Sequence, residues 1–440
     1  MKFYNRQAEL AQLAQIEQLA QSVGQLTFVV GRRRIGKTSL LLKAYTEPTT
    51  LYFFVAKKNE ALLCAEFVAQ IEQQWGEPVY GEFKQFKTLF GWLLSQARSK
   101  PFTLIIDEFQ EFQSVNAAIF SEIQALWDAN RQESRMNLVC CGSVYALMTR
   151  IFENAKEPLF GRATQRMHIK AFDVATLQEI LKDYAPAFTP EDLLALYLLT
   201  GGVAKYVELL MEQNACTKDQ MLGLVLSEQS LFLEEGKNVL IDEFGKDYGN
   251  YFSILSLIAS GKTARAEMES IMEMQIGGFL ERLEQEFGLI KKVRPLLAKP
   301  NSRSLKYEIE DPFLRFWFGF IYKNRSAIEA GNLGYIRNIV DRDYNTFSGK
   351  TLERFFIARI KAQQRYNQIG TYWEKQNTNE IDIVAIDELN RCLLIAEVKR
   401  NADKIKLDVL QHKALNLVAH FQNYDVKYAA YSLAQLTDPL

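Results

Sequence analysis

Residues 26–43 read Leu26-Thr27-Phe28-Val29-Val30-Gly31-Arg32-Arg33-Arg34-Ile35-Gly36-Lys37-Thr38-Ser39-Leu40-Leu41-Leu42-Lys43. An apolar run of strand length enters a basic turn bounded by glycines, and the turn opens a helical apolar pattern. Residues 31–38 fit GxxxxGK[ST] at every fixed position. Such a turn curls backbone N–H groups around phosphate at a helix N-terminus, where the helix dipole is positive. Gly31 and Gly36 permit the tight backbone. Arg32, Arg33, Arg34 and Ile35 span the loop between them, and Ser39 follows in the first helical turn. Lys37 is expected to reach the β- and γ-phosphates, and Thr38 to offer its hydroxyl to Mg²⁺. The expected cofactors are ATP and Mg²⁺.

Outward from this loop, short apolar runs at 51–55, 103–106, 138–141 and 167–169 alternate with helical patterns. That alternation predicts a parallel α/β sheet with helices on both faces. The run 102–106 ends in Asp107-Glu108. At a strand's C-terminal edge, Asp107 can complete the Mg²⁺ shell and Glu108 can orient or deprotonate an attacking water. Ser143, just past the 138–141 run, is placed to sense the γ-phosphate. Arg162 is a candidate arginine finger, acting across a subunit boundary or within one chain. Lys205 is a candidate nucleotide contact from a helical lid. A surface arginine, for Arg162, is the competing reading.

The pattern divides the chain into 1–172 (ATPase core), 173–247 (helical lid and connector), 248–349 (winged helix-turn-helix and an aromatic-rich helical linker) and 350–440. In the third segment, helices are expected at 251–260, 265–272 and 276–286, with a wing hairpin from 289–297 and 305–309 turning at 299–302. Lys291, Lys292, Arg294, Lys299, Arg303 and Lys306 lie between residues 288 and 306, where no acidic residue occurs. Such a patch suits phosphate contact. The expected recognition helix pairs Arg282 with Glu281, Glu284 and Glu286, which argues against base reading. A module that packs only on its own protein is the alternative.

The last segment carries a second chemical signal. Residues 380–386 and 392–399 read as two strands joined by a turn. A hairpin symmetric about residues 389 and 390 sets Asp382 opposite Glu397. Period-two alternation then places Ile395, Glu397 and Lys399 on one face. Two carboxylates and an ammonium converge there, on a donor set suited to Mg²⁺. A surface hairpin with an ordinary Glu–Lys pair is the plainer reading.

The chain has 440 residues, enough for several domains. Its net charge is −1, which excludes a uniformly basic nucleic-acid coat and an acidic tail. Acidic residues prevail over the first 250 positions and basic ones slightly over the rest. Cys64, Cys140, Cys141, Cys216 and Cys392 include no CxxC pair, and there are 3 histidines, so neither a disulfide framework nor a His-rich zinc site is expected. No signal peptide and no membrane-length apolar stretch is visible. The expected location is cytoplasmic.

The chain resembles the archaeal-type P-loop ATPases of the AAA+/STAND group. The residues concerned are Asn5-Arg6 with Glu9-Leu10, Gly31 to Thr38, Asp107-Glu108-Phe109-Gln110, Cys141-Gly142-Ser143, Pro158 to Arg162 and Gly201-Gly202. The family usually has proline where Ala204 stands. The likeness runs on through Asp311-Pro312-Phe313-Leu314-Arg315-Phe316-Trp317. It implies an ATPase; the arginine-finger reading of Arg162, if it acts across a subunit boundary, adds a homo-oligomer to the expected assemblies. The pattern around Asp382, Glu397 and Lys399 resembles PD-(D/E)xK restriction-endonuclease-like nucleases, with Ile381 in place of the proline. That likeness implies Mg²⁺ on Asp382 and Glu397, water orientation by Lys399, an extra acid at Glu353 and a lesser role for Gln411. Nucleic acid is the implied partner, DNA before RNA. A nucleotide switch that binds without cutting, and a scaffold with slow ATPase, are the rival readings.

Overall fold

The computed structural model describes residues 1–46, 49–244, 248–299, 304–374 and 378–438. The chain divides into two compact units. One comprises Phe3–Ala171 with Val203–Lys205, the other Met1–Lys2, Phe172–Gly202 and Tyr206–Leu440.

The first unit is built on five parallel strands: β1 (Gln25–Val30), β2 (Thr50–Phe54), β3 (Phe102–Asp107), β4 (Met136–Cys141) and β5 (Gln165–His168). Their order in the sheet is β2-β3-β4-β1-β5. Every residue of β1, β3 and β4 is buried, which is why these strands read as unbroken apolar runs. Alternate residues feed opposite faces. Phe28, Val30, Leu104, Ile106, Leu138 and Cys140 enter one core with Phe67, Phe90 and Trp127. Val29, Ile105, Val139 and Cys141 enter the other with Leu13, Leu40 and Met167. Because the strands are parallel, the loops after Val30, Asp107 and Cys141 all leave from one edge. The central strand β4 lies between β1 and β3, so those three loops are neighbours.

The second unit begins with helices. Pro190–Thr200 starts in a reciprocal capping box, Thr189 with Asp192, and ends on Gly201 at φ 59°. Helices Tyr248–Ala259, Arg265–Met272 and Gly277–Glu281 follow, the last running into a π-turn at Arg282–Glu286. An antiparallel pair, β6 (Ile290–Val293) and β7 (Lys306–Ile309), comes next. The pair is shorter than the expected 289–297. Pro295 offers no N–H, and Leu296 donates instead to Thr371 O at 2.9 Å. Of the expected turn at 299–302, residues 300–302 lie outside the described residues, as does Arg303.

A 30-residue helix, Leu333–Ala362, precedes a four-stranded mixed sheet. Its strands are β8 (Gln368–Tyr372), β9 (Ile381–Asp387), β10 (Cys392–Lys399) and β11 (Asp425–Ser432), in the order β11-β10-β9-β8. β8–β9 and β9–β10 are antiparallel, while β10–β11 is parallel. Val384, Ile386, Leu393 and Ile395 pack against Leu410, Ala414 and Leu417. Among the described residues no helix is long and apolar enough to cross a membrane.

Candidate functional site

The loop from Gly31 to Gly36 leaves β1, and the helix Lys37–Ala44 follows it. Arg34 and Gly36 take positive φ, 66° and 93°, which tightens the turn. Gly31 is needed for space, since a Cβ there stands 2.6 Å from Ile169 O. The ammonium of Lys37 is buried and donates to Gly31 O at 2.8 Å and Arg32 O at 3.1 Å. Arg32 and Arg34 are half-buried, Arg33 and Ser39 exposed, and Ile35 sits in the core. Lys205 donates its backbone N–H to Arg34 O at 3.2 Å.

Asp107 is buried at the end of β3. One carboxylate oxygen accepts from Thr38 Oγ1 at 2.7 Å and from Tyr52 OH at 2.7 Å. The other accepts the Glu108 backbone N–H at 2.9 Å. The Tyr52 hydroxyl is pushed far above its ordinary pKa, first by burial and then by the Asp107 charge, so it remains a donor. Glu108 turns the chain sharply, at φ 52°. Its Oε2 accepts from Gln110 Nε2 at 2.5 Å, Ser143 Oγ at 2.7 Å and Ser143 N at 3.3 Å. The phosphate loop, Asp107, Glu108 and Ser143 therefore meet at one edge. The donors and acceptors suit a nucleotide phosphate and its cation: a lysine, loop amides, a hydroxyl and a carboxylate.

Arg162 is not among them. Thr164 donates to Leu26 O at 2.7 Å, at the start of β1, and Arg162 lies just before it. The phosphate loop leaves the other end of that strand, about 13 Å away at ~3.3 Å per residue. Arg162 pairs with Asp128 at 3.1 Å and donates to Phe160 O at 2.8 Å.

In the second unit, β9 and β10 pair Asp387 with Cys392 through Ile383 with Ala396. The register places Asp382 opposite Glu397. Asp382 Oδ2 accepts the Val398 N–H at 2.8 Å and lies 3.3 Å from Lys399 Nζ. The same ammonium is 2.8 Å from Glu397 Oε1, which also meets Lys413 Nζ at 3.4 Å. Glu397 is 8% exposed, and its Oε2 is buried without a hydrogen-bond partner. An orphaned carboxylate oxygen beside a second carboxylate fits a hard divalent cation. Even so, among the described residues no three His, Cys, Asp or Glu side chains form a group able to hold a metal ion. Glu353, on the long helix, pairs with Lys350 at 2.7 Å. Burial, and then Asp382, raise its carboxyl above the ordinary range despite Lys350. Burial raises Asp382 as well, against its Val398 hydrogen bond and Lys399. Gln411 is exposed.

The patch at 288–306 is less basic than its sequence. Lys291 meets Glu308, Lys292 meets Glu284, and Lys306 meets Glu380. Arg294 and Lys299 stay exposed.

Residues 3–210 match the family described as an ATPase domain predominantly from Archaea. The Walker-type ATPase of Pyrococcus abyssi is similar in fold, with a TM-score of 0.54 and 17% identity over 72% of this chain and 96% of that one. The chain carries a P-loop ATPase domain. The ORC2 protein of Aeropyrum pernix, solved in ADPNP–ADP complexes, is also similar: TM-score 0.47, 14% identity, 75% of this chain and 95% of that one. Residues 317–410 match a family of archaeal and bacterial proteins of unknown function. An uncharacterized protein of Methanocaldococcus jannaschii is 25% identical over 438 residues, covering 96% of this chain and 94% of its own.

Three neighbours of these sites are not among the expected site residues. In the ATPase domain, only the aligned strand ends bring Tyr52 of β2 to Asp107, whereas Gln110, already part of the Asp107-Glu108-Phe109-Gln110 motif, folds back on Glu108 through the sharp turn there. In the second unit Lys413 reaches Glu397 from the helix Leu407–Lys413, two positions from the expected Gln411. A helix face cannot be assigned from so short a segment.

Proposed function

We propose that the chain couples ATP hydrolysis to a Mg²⁺-dependent nuclease-like domain acting on nucleic acid, DNA before RNA. The observation that carries the ATPase half is the joined network Thr38–Asp107–Tyr52 beside Glu108–Ser143. When bound, Mg²⁺ supplies charge neutralisation at the phosphates; Thr38 and Asp107 would hold it. Lys37 neutralises phosphate charge. Glu108, fixed by Ser143 and Gln110, takes or steers the proton of the attacking water. Ser143 links that carboxylate to the β4 edge.

The register of Asp382 against Glu397, with Lys399 between them, supports the nuclease-like half. Asp382 and Glu397 would hold the cation, Lys399 would orient water, and Glu353 would add an acid. The division at 172, 247 and 349, the winged helix, the cytoplasmic location and assembly into an oligomer belong to the same reading. Arg162, remote from its own phosphate loop, serves as a finger toward a second copy.

Two experiments test this. Phosphate release from ATP is expected to fall at least about 100-fold in Lys37→Ala; an unchanged rate sinks the nucleotide site. Plasmid nicking with Mg²⁺ or Mn²⁺ and ATP is expected from the unaltered chain and not from Asp382→Ala or Lys399→Ala. Intact DNA and RNA in every lane removes the nuclease half. A second reading, a nucleotide switch whose C-terminal domain binds DNA or a protein without cutting, is favoured by the pairing of Lys291, Lys292 and Lys306 with carboxylates. DNA binding that does not weaken as salt rises would argue that the 288–306 patch meets no phosphates.

A further inference from the structure

Four cations line one cavity of about 340 Å³ in the second unit: Lys306, Arg315, Lys350 and Arg354. Ile258 and Tyr307 contribute to its walls, and among the described residues Glu308 is the one carboxylate that lines it. Glu308 is shared, meeting Arg354 at 2.8 Å, Lys350 at 3.8 Å and Lys291 at 3.9 Å. Lys350 also meets Glu353, and Lys306 meets Glu380 at 3.4 Å.

Arg315 is different. Its guanidinium donates to two neutral oxygens, Thr351 Oγ1 at 3.1 Å and Phe347 O at 3.2 Å, and stacks 4.0 Å over the Phe347 ring. Among the described residues it has no carboxylate in ion-pair contact. Burial, then Arg354, push its pKa down to about 10, so it stays charged at neutral pH. Arg354 donates to Ile309 O at 2.6 Å, yet its Nε is buried without a partner. Glu308 and Glu353 favour the Arg315 charge only through space, and a buried guanidinium with no carboxylate in contact is costly to a fold. Two arginine forks and two lysines converging on one space are a donor set for a multiply charged oxyanion. The volume lies at the small end of ligand sites, room for a phosphate bearing one modest group.

We propose that this cavity binds a phosphoryl dianion, a phosphate monoester or pyrophosphate, held by Arg315, Arg354, Lys350 and Lys306. It shares no residue with the phosphate loop, and it does not depend on the nuclease reading. The phosphate comes from a free small ester or from the phosphorylated end of a strand; the chemistry is the same.

The test is calorimetric titration of pyrophosphate into the full-length Lys37→Ala chain, whose phosphate loop is weakened. One binding site is expected. Adding Arg315→Gln or Lys350→Gln is expected to weaken it tenfold or more, with thermal melting confirming that each chain is folded. Two variants guard against one failing to fold. No heat at millimolar pyrophosphate, or an affinity unchanged in both variants, overturns the proposal. Displacement by a 5′-phosphorylated oligonucleotide and not by its 5′-hydroxyl twin identifies the strand end. Displacement by adenosine monophosphate alone identifies the free ester.

Discussion

Glu308 carries the clearest consequence of a single buried charge. Burial alone would raise its carboxyl, but Arg354, Lys350 and Lys291 together hold it below the ordinary value of 4.5. A carboxyl depressed on folding contributes stability that is present above its unfolded pKa and lost as pH falls through the folded one. Glu308→Gln is therefore expected to destabilise by about 2–4 kcal/mol at pH 7, because it leaves buried cations uncompensated. The gap to the unaltered chain closes below pH 4.5. Denaturant melts at pH 7 and pH 3.5 measure it, and an equal gap at both pH values contradicts the pairing. The thiols behave oppositely. Burial pushes Cys64 up to about 12 and raises Cys140 and Cys141 well above the ordinary thiol value, so they pack as small apolar groups.

At the scale of elements, the strand ends of the parallel sheet decide what the side chains can do. Gly142 follows β4, and a Cβ there stands 2.3 Å from Gln110 Oε1 and 2.5 Å from Met148 Cγ. Gly142→Ala must displace Gln110, which holds Glu108. The expected result is a tenfold or greater fall in kcat with KM little changed, and about 1–3 kcal/mol lost stability. Steady-state kinetics beside a urea melt separates the two effects. A normal kcat in a folded variant means Gln110 does not position Glu108. In the second unit, Arg400 follows Lys399 directly. It pairs with Glu191 of the helix Pro190–Thr200 and donates to Ser348 Oγ at 2.7 Å. The end of β10 is thus tied to a helix some 200 positions earlier in the chain, a contact no local pattern announces.

At the scale of the whole molecule, Arg162 lies at the sheet edge opposite its own phosphate loop. If it completes a site, that site belongs to another copy. Lys37→Ala and Arg162→Ala are each expected to be weakly active, and an equimolar mixture to recover part of the rate. Each mixed pair then contains one intact loop facing one intact arginine. Phosphate release against mixing ratio measures this; no recovery at any ratio argues that Arg162 only braces Asp128.

Much of the ATPase domain is legible in the amino-acid sequence. The glycines, Lys37 and Thr38 have a fixed spacing because one loop does the binding, and apolar runs reveal parallel strands because both faces are covered. The opposition of Asp382 to Glu397 is legible too, since a hairpin's register follows from its turn and a period of two. What tertiary structure alone decides is long-range charge and place. Counted along the chain, residues 288–306 are purely basic; folded, Glu284, Glu308 and Glu380 come from outside to meet three of those cations. In sequence Arg162 is a candidate finger or a surface arginine, and only the sheet shows which edge it occupies. The physical reason is common to both cases. Local spacing is enforced by backbone geometry within a few residues, whereas the partners of a charge are set by which distant elements pack together.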